Sequence, residues 1–103
     1  MTTVLTRFSL PAPLTRDEAK RIFLNTAPRY RELPGLVRKY YHVSDDGRTS
    51  GAVYLWKSRA DAERLYTKEW ERFVFEQYGV YPSVAFFDCP VIVDNVAETV
   101  THD

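Results

Sequence analysis

Two runs of alternating apolar and aromatic residues constrain the fold more than any other part of the chain. One covers residues 36–43 and follows a Pro-Gly dipeptide at Pro34, and the other covers residues 50–57. Proline fixes φ and glycine tolerates positive φ, so Pro-Gly suits the centre of a type II turn. Asp-Gly at Asp46 is typical of a hairpin turn between two strands. Since the runs are rich in Tyr, Val, Leu and Trp, they predict a hairpin with large rings on a half-buried surface.

Two helical regions flank this hairpin. A capping box between Thr15 and Glu18 begins the first, and Pro28 ends or kinks it. Ser58 is the expected N-cap of the second region, and Gly79 suits the position after its last turn. A break near Thr67-Lys68 is compatible with the pattern of the second region, whose inward stripe comprises Ala62, Tyr66, Trp70 and Phe73.

The remaining patterns predict two more strands. Residues 4–10 alternate as a strand does, and residues 83–93 predict a fourth strand with Pro90 at an edge or bulge. The order is then β-α-β-β-α-β, the ferredoxin-like α+β arrangement. We expect a four-stranded antiparallel sheet with both helices on one face, in a single domain over residues 1–96. Residues 97–103 are expected to form a polar C-terminal tail that frays.

Composition excludes several classes of protein. The 103 residues suit one domain, and Lys plus Arg equals Asp plus Glu at 14 each, a formal net charge of +0. A nucleic-acid binder would show a basic face, so we expect no nucleic-acid partner. No apolar run approaches the roughly 20 residues of a membrane span, so we expect no membrane partner. Cys89 is the only cysteine, which excludes an intrachain disulfide and fits a cytoplasmic location.

The expected sheet has more apolar surface than two helices can cover. Strands two to four have apolar or aromatic residues at both alternating sets of positions. A net charge near zero gives no electrostatic resistance to self-association, and most soluble oligomers are symmetric homodimers. We therefore expect a homodimer in which a second copy of the sheet covers the open face.

The sequence resembles the YdhR-like mono-oxygenases of the dimeric α/β-barrel superfamily, which also holds the antibiotic-biosynthesis mono-oxygenases. The most specific matches are the Pro-Gly-Leu turn and the Tyr-Leu-Trp-Lys-Ser junction that begins at Tyr54. The matching stretches span nearly the whole chain and comprise residues 8–11, 23–36, 38–41, 51–65 and 88–95. The resemblance implies a homodimer whose sheets form a barrel, with a pocket between sheet and helices in each subunit. It also implies oxidation of a small aromatic or polyketide-like compound without flavin, haem or metal.

Motifs for a bound cofactor are missing from the sequence. There is no G-x-G-x-x-G, no G-x-x-x-x-G-K-[ST], and no spacing of His and Cys that suits a metal. We therefore expect no cofactor and no metal. Oxygenation without a cofactor needs a base that removes a proton from the substrate and a dry pocket that protects the intermediate.

Several residues are candidates for this chemistry. His42 is the candidate base because its intrinsic pKa lies near neutrality. Tyr54 is the candidate hydrogen-bond donor to an anionic oxygen, a role that Tyr40 or Tyr41 can also fill. Arg38 can neutralise a phenolate or carboxylate. The candidate substrate-binding residues are Arg38, Tyr40, Trp56, Trp70 and Phe73.

Each candidate also has a simpler structural explanation. The large rings can be ordinary core, and the tyrosines can reach the dimer interface with their hydroxyl groups in water. His42 can lie at the surface or the interface. Arg38 and Lys39 can be solvated charges that protect an edge strand from further pairing.

The register of the hairpin decides which rings share the pocket. With a two-residue Asp-Gly turn, Tyr41 opposes Ala52, and Tyr54 and Trp56 share its face. With one more loop residue, Tyr40 opposes Ala52 and His42 joins Tyr54 and Trp56 instead. A slip of one residue exchanges the whole face, and the sequence fits both registers.

Three functions fit these observations. The first is a cofactor-independent mono-oxygenase that acts on a small aromatic or polyketide-like compound. The second is a non-catalytic protein that binds small apolar ligands in the same pocket. The third is an assembly protein whose sheet-to-sheet association is its purpose and whose interior is filled. The residues do not identify the natural substrate.

Overall fold

A four-stranded antiparallel sheet is the framework of the computed structural model, which describes residues 1–103. Its strands are β1 (Thr2–Ser9), β2 (Leu36–Val43), β3 (Thr49–Trp56) and β4 (Ser83–Asp88). In space they follow the order β2-β3-β1-β4, so β2 and β4 are the edges. This agrees with the four strands and the ferredoxin-like order that the sequence predicts.

Three helices cover one face of the sheet. They are α1 (Arg16–Thr26), which continues into a 3-10 turn over Ala27–Tyr30, α2 (Arg59–Glu63) and α3 (Lys68–Tyr78). The second predicted helical region is therefore two helices. Helix α3 starts anew because Thr67 is its N-cap: the Thr67 hydroxyl accepts a hydrogen bond from the Trp70 amide at 3.2 Å. None of the helices has the length and apolar character needed to span a bilayer.

The predicted helix boundaries are confirmed by the caps. The Thr15 hydroxyl accepts from the Glu18 amide at 3.1 Å, and the Thr15 amide donates to Glu18 Oε1 at 2.9 Å. Gly79 follows α3 with a φ of 77°, in the left-handed region that glycine adopts without strain. These contacts satisfy backbone groups that a helix end leaves unpaired.

The hydrophobic core lies between the helices and the sheet face that they cover. Every second residue of β1 is buried, and the same holds for the end of β3. Helices α2 and α3 contribute the opposite wall. The core residues are Val4, Phe8, Tyr30, Ala52, Tyr54, Trp56, Ala62, Trp70 and Val74. The predicted fold class, a four-stranded antiparallel sheet with helices on one face, is confirmed.

The hairpin between β2 and β3 adopts the first of the two registers that the sequence allows. Tyr41 pairs with Ala52, and Lys39 pairs with Tyr54. Side chains two residues apart on a strand share a face. Lys39, Tyr41, Tyr54 and Trp56 therefore belong to the face that the helices cover.

The C-terminal segment differs from the sequence prediction. A single strand over residues 83–93 is wrong, because β4 ends at Asp88 and the chain turns at Cys89-Pro90. Two further strands, β5 (Val91–Asp94) and β6 (Thr99–His102), form a separate antiparallel pair. Proline has no amide hydrogen for the ladder, which explains the interruption.

Within the expected C-terminal tail, residues 99–102 form strand β6. The turn before this strand is closed by the Asp94 carboxylate, which accepts hydrogen bonds from the amides of Val96 and Ala97 at 3.0 Å each. An aspartate that closes a turn in this way favours a hairpin.

Candidate functional site

A small, mainly apolar cavity lies between the sheet and helix α3. Its walls are mainly aromatic rings, and its polar lining includes Lys39 and two threonine hydroxyls. The cavity volume is about 30 Å³, which is room for a water molecule or two. The aromatic lining residues are Phe8, Tyr30, Tyr41, Tyr54, Trp70, Phe73 and Tyr78.

The side chain of Lys39 points into this cavity and ends among three tyrosine rings. Its Nζ atom lies 3.3 Å from the ring centroid of Tyr30, 3.9 Å from that of Tyr41 and 4.8 Å from that of Tyr54. We call these three residues the tyrosine cage. The amine forms no salt bridge in the structure, and no carboxylate lines the cavity.

Local structure explains how the cage forms. The register of the hairpin places Lys39 directly opposite Tyr54, and Tyr41 follows on the same face of β2. Tyr30 ends the 3-10 turn after α1, which brings its ring over the sheet. Three separate elements thus hold the rings around one amine.

The location of Lys39 strongly lowers the pKa of its amine. Burial, with a smaller contribution from the nearby charge of Arg29, lowers the pKa of the Lys39 amine to about 6. The amine is therefore largely neutral at pH 7. The same rings present their π faces to Nζ, so an ammonium formed there has favourable cation–π partners.

The hydroxyl groups of the cage are held by hydrogen bonds and remain protonated. The Tyr30 hydroxyl accepts from Trp70 Nε1 at 3.1 Å, and the Tyr41 hydroxyl lies 2.9 Å from Thr26 Oγ1. Burial raises the pKa of Tyr41 to about 12 and raises the pKa of Tyr54 well above its ordinary value. The cavity thus has hydroxyl groups that can donate a hydrogen bond to an anionic oxygen but do not act as bases near neutral pH.

Tyr66 separates the two tryptophans behind the cavity wall. Its ring packs edge-on against Trp70 at 5.0 Å and against Trp56 at 6.1 Å between centroids. Its hydroxyl accepts from Trp56 Nε1 at 2.9 Å. Trp56 is only 1 % exposed and does not line the cavity. It is part of the core that supports the site.

Three of the predicted site residues come together at the cavity. Tyr54, Trp70 and Phe73 all line it. The Phe73 ring lies beneath the Arg29 guanidinium, which is 3.9 Å from the ring centroid. Phe73 is therefore a wall residue of the cavity with Arg29 stacked on its ring.

Arg38, Tyr40 and His42 are not brought to the cavity. They alternate with Lys39 and Tyr41 along β2, so they lie on the face that no helix covers. Arg38 Nη1 donates to the Tyr40 hydroxyl at 3.4 Å on that surface. Burial lowers the pKa of His42, and the charge of Arg7 across the sheet contributes to the shift. The register therefore separates His42 from Tyr54.

Lys39 is the site residue that sequence reasoning missed. It was expected as a solvated charge on an edge strand, whereas its side chain is half-buried and its amine lies among the rings of the tyrosine cage. The available signal was its alternation with Tyr41, since both residues share one face of β2 in either register. The cavity contains no metal-binding cluster, because no group of three or more His, Cys, Asp or Glu side chains is placed to hold an ion.

Comparison with known proteins defines the fold. The sequence matches no protein-family model and no curated protein. Among solved structures, a monooxygenase from the ActVA-Orf6 gene of Streptomyces coelicolor, in complex with nanaomycin D, is similar with a TM-score of 0.66 at 18% identity. That match covers 85% of this chain and 86% of the other.

Two further structures have the same fold. SnoaB, a cofactor-independent oxygenase from Streptomyces nogalater, has a TM-score of 0.64 at 18% identity, covering 85% of this chain and 91% of the other. An antibiotic biosynthesis monooxygenase has a TM-score of 0.63 at 17% identity, covering 86% and 98%. The chain thus has the fold of antibiotic-biosynthesis monooxygenase-like proteins.

Proposed function

We propose that the protein is a cofactor-independent mono-oxygenase that acts on a small aromatic or polyketide-like compound in the cavity between sheet and helices. The observation that supports this most is the ring-lined cavity with the tyrosine cage and one buried amine, in a fold that SnoaB and other oxygenases share. The resemblance of the sequence to the YdhR-like mono-oxygenases favours the same reaction type.

The proposed reaction starts when the substrate loses a proton in the cavity. The anion then gives an electron to dioxygen, and the two radicals combine at carbon. With dioxygen as the only oxidant, an activated CH2 group becomes a carbonyl and the second oxygen atom leaves as water. No external reductant is needed for this balance. The aromatic walls exclude water from the intermediate.

Tyr54 has the proposed role of hydrogen-bond donor to the anionic substrate oxygen. Its raised pKa keeps the phenol protonated, and its ring lies at the cavity wall. Donors of this kind stabilise charge that develops during a reaction. Trp70 and Phe73 are proposed to contact the substrate ring. The proposal assigns no role in the cavity to His42, Arg38 or Tyr40, because the register places them on the other face.

The cavity must enlarge to admit a substrate. Its volume of about 30 Å³ is far below the roughly 300 Å³ of the smallest typical ligand pockets. Lys39 occupies the centre of the cage on a flexible side chain, so its movement creates space without unfolding the sheet. Phe73, on which Arg29 is stacked, is another wall residue whose side-chain rotation can open the cavity.

A second candidate function is non-catalytic binding of a small apolar molecule in the same cavity. The observation that favours it is that no carboxylate or histidine lines the cavity, whereas many acid–base sites contain one. Oxygen uptake separates the two functions, because a binding protein consumes no dioxygen when a phenolic ligand is added.

The experiment compares oxygen uptake by the wild type, Tyr54→Phe and Tyr40→Phe with a panel of polyhydroxylated aromatic compounds. We expect uptake by the wild type, a kcat lowered about 100- to 1,000-fold in Tyr54→Phe, as loss of one charge-stabilising donor gives, and no change in Tyr40→Phe. Tyr40 is the matched control because its hydroxyl lies on the open face. Equal rates in the two variants would refute the role of Tyr54.

We also propose a homodimer formed through the face that no helix covers. This face exposes large apolar side chains, including Leu5 at 37%, Tyr40 at 55% and Phe87 at 52%. The β5–β6 hairpin has no strand partner in the main sheet, and an isolated two-stranded hairpin is marginally stable in water. A second copy of the chain can cover both surfaces.

A further inference from the structure

We propose that the ε-amine of Lys39 is the proton acceptor of the cavity, and that the resulting ammonium pairs with the substrate anion. The inference rests on the proposed function, since it concerns the step that activates the substrate. It replaces the predicted role of His42, which lies on the other face of the sheet.

The location of Lys39 requires an explanation that packing alone does not give. The other three lysines, Lys20, Lys57 and Lys68, are all exposed. Lys39 is on an edge strand beside the exposed Arg38, yet its amine lies among three rings with no carboxylate partner. A buried amine is costly unless it is neutral or paired with a charge. A cavity with this one unpaired basic group therefore favours an acidic ligand.

The other ionisable groups that face Lys39 cannot take its role. They are the Arg29 guanidinium and the phenols of Tyr30, Tyr41, Tyr54 and Tyr78. Burial raises the pKa of each of these phenols, so they are donors near neutral pH. A guanidinium group has no free electron pair to accept a proton. Only the Lys39 amine can accept one at neutral pH.

The proton balance of the step is simple. The nitrogen lone pair of Lys39 forms a new N–H bond, the O–H or C–H bond of the substrate breaks, and its electron pair stays on the substrate. The products are an ammonium and a phenolate or enolate in contact. The cage faces attract the ammonium, and the tyrosine hydroxyls donate to the anion. The net charge of the cavity does not change during the transfer.

This step also restricts the class of substrate. The pKa of Lys39 is about 6, so efficient transfer requires a substrate acid within a few units of that value. Simple phenols, with a pKa of roughly 10, are poor matches. Hydroxyquinones and enolised 1,3-dicarbonyl compounds fit, because a carbonyl delocalises their negative charge. We infer that the substrate contains such a vinylogous acid.

The test uses alizarin, a hydroxyanthraquinone that turns from yellow to red when it loses a proton. Its visible spectrum is titrated with a saturating amount of wild type, Lys39→Met or Lys57→Met, and circular dichroism verifies folding. We expect the apparent pKa of bound alizarin to be at least about one unit lower in the wild type than in Lys39→Met, a tenfold effect on ionisation. Lys57→Met, which changes an exposed lysine, should match the wild type.

A third variant separates charge pairing from proton transfer. Lys39→Arg keeps a positive charge but has no basic nitrogen near neutral pH. We expect it to bind the alizarin anion, and in oxygen uptake with a turned-over hydroxyquinone we expect a KM near that of the wild type with kcat at least about tenfold lower. A wild-type kcat in Lys39→Arg would refute the proton-acceptor role.

The outcomes distinguish this inference from the proposed function. If bound alizarin ionises equally in the wild type and Lys39→Met, the role of Lys39 is refuted while oxygen uptake still tests the mono-oxygenase. If ionisation depends on Lys39 but no hydroxyquinone or dicarbonyl supports oxygen uptake, proton transfer is supported and the binding function replaces the oxygenase. If the wild type does not bind alizarin, the cavity is not a site for such acids, and the inference is refuted.

Discussion

Replacement of Lys39 by methionine should remove a rise in folding stability that the wild type shows between pH 7 and pH 9. In the folded protein the pKa of Lys39 is about 6, against an ordinary value of 10.5. Between these two values the unfolded chain binds one more proton than the folded chain, so the free energy of unfolding increases with pH. The contribution is lost as pH falls towards the folded pKa. Methionine has a similar length and no proton to bind.

The expected magnitude follows from the proton difference. One proton contributes about 1.4 kcal/mol per pH unit, which gives roughly 2.7 kcal/mol between pH 7 and pH 9. For a domain of this size that corresponds to a difference of about 10–20 °C in the midpoint of thermal unfolding. The window avoids His42, whose folded pKa is lowered below 6.5, and the tyrosines, whose ordinary pKa is 10.0. The N-terminal amine titrates there too, but both proteins share it.

Urea unfolding followed by tryptophan fluorescence measures the effect at pH 7, 8 and 9. Protein concentration is held constant because a dimer gains stability with concentration. Lys57→Met is the control, since Lys57 is exposed and its loss should leave the slope of the wild type. Lys39→Met should also be the more stable protein at pH 7. A wild type and a Lys39→Met variant with the same pH slope would contradict a neutral, buried amine.

Three substitutions test other parts of the account. Tyr66→Phe leaves Trp56 Nε1 without its partner and should cost about 1–3 kcal/mol of unfolding free energy in urea titrations. Gly51→Ala should cost at least about 2 kcal/mol, because the added Cβ collides with the Thr6 carbonyl oxygen of β1. Phe87→Glu on the open face should shift sedimentation towards the monomer mass; an unchanged dimer would exclude this face as the interface.

The general fold could be predicted from the sequence because the helix caps and the strand alternation indicated the same order of elements. The capping box at Thr15, the N-cap at Ser58 and the left-handed Gly79 are decided by residues next to them in the chain. Alternation then assigned the strands. These interactions need no knowledge of distant contacts, and the structure confirms the caps and the first three strands, whereas the fourth strand ends at Asp88.

The site was harder to predict because it depends on register. Two registers fitted the hairpin, and only the observed pairing of Tyr41 with Ala52 separates His42 from the cavity. A strand residue changes face with a slip of one position, so a candidate base cannot be placed until the partner strand is fixed. The selection of Tyr54, Trp70 and Phe73 as candidate site residues did not depend on the register alone. Helix α3 supplies Trp70 and Phe73.

The sequence indicated a solvated Lys39 because lysine side chains are mostly exposed in folded proteins. Its location is a tertiary effect, because Tyr30 lies on the turn after α1 and Tyr54 on the neighbouring strand.

The β5–β6 hairpin was not predicted from the sequence. The two strands are close in sequence, but the polar residues of β6 resemble a disordered tail. Pro90 was interpreted as an edge or bulge position inside one long strand, so the end of β4 at Asp88 was not recognised.

Isotope labelling tests the central proposal most directly. The protein is freed of flavin and metal, mixed with a polyhydroxylated aromatic substrate under 18O-labelled dioxygen, and the product is analysed promptly by mass spectrometry. The proposed reaction predicts incorporation of one labelled atom per product molecule, with the second atom in water and no added reductant. A product that contains no label, or an absence of oxygen uptake across the substrate panel, would contradict a mono-oxygenase and leave the cavity as a binding site.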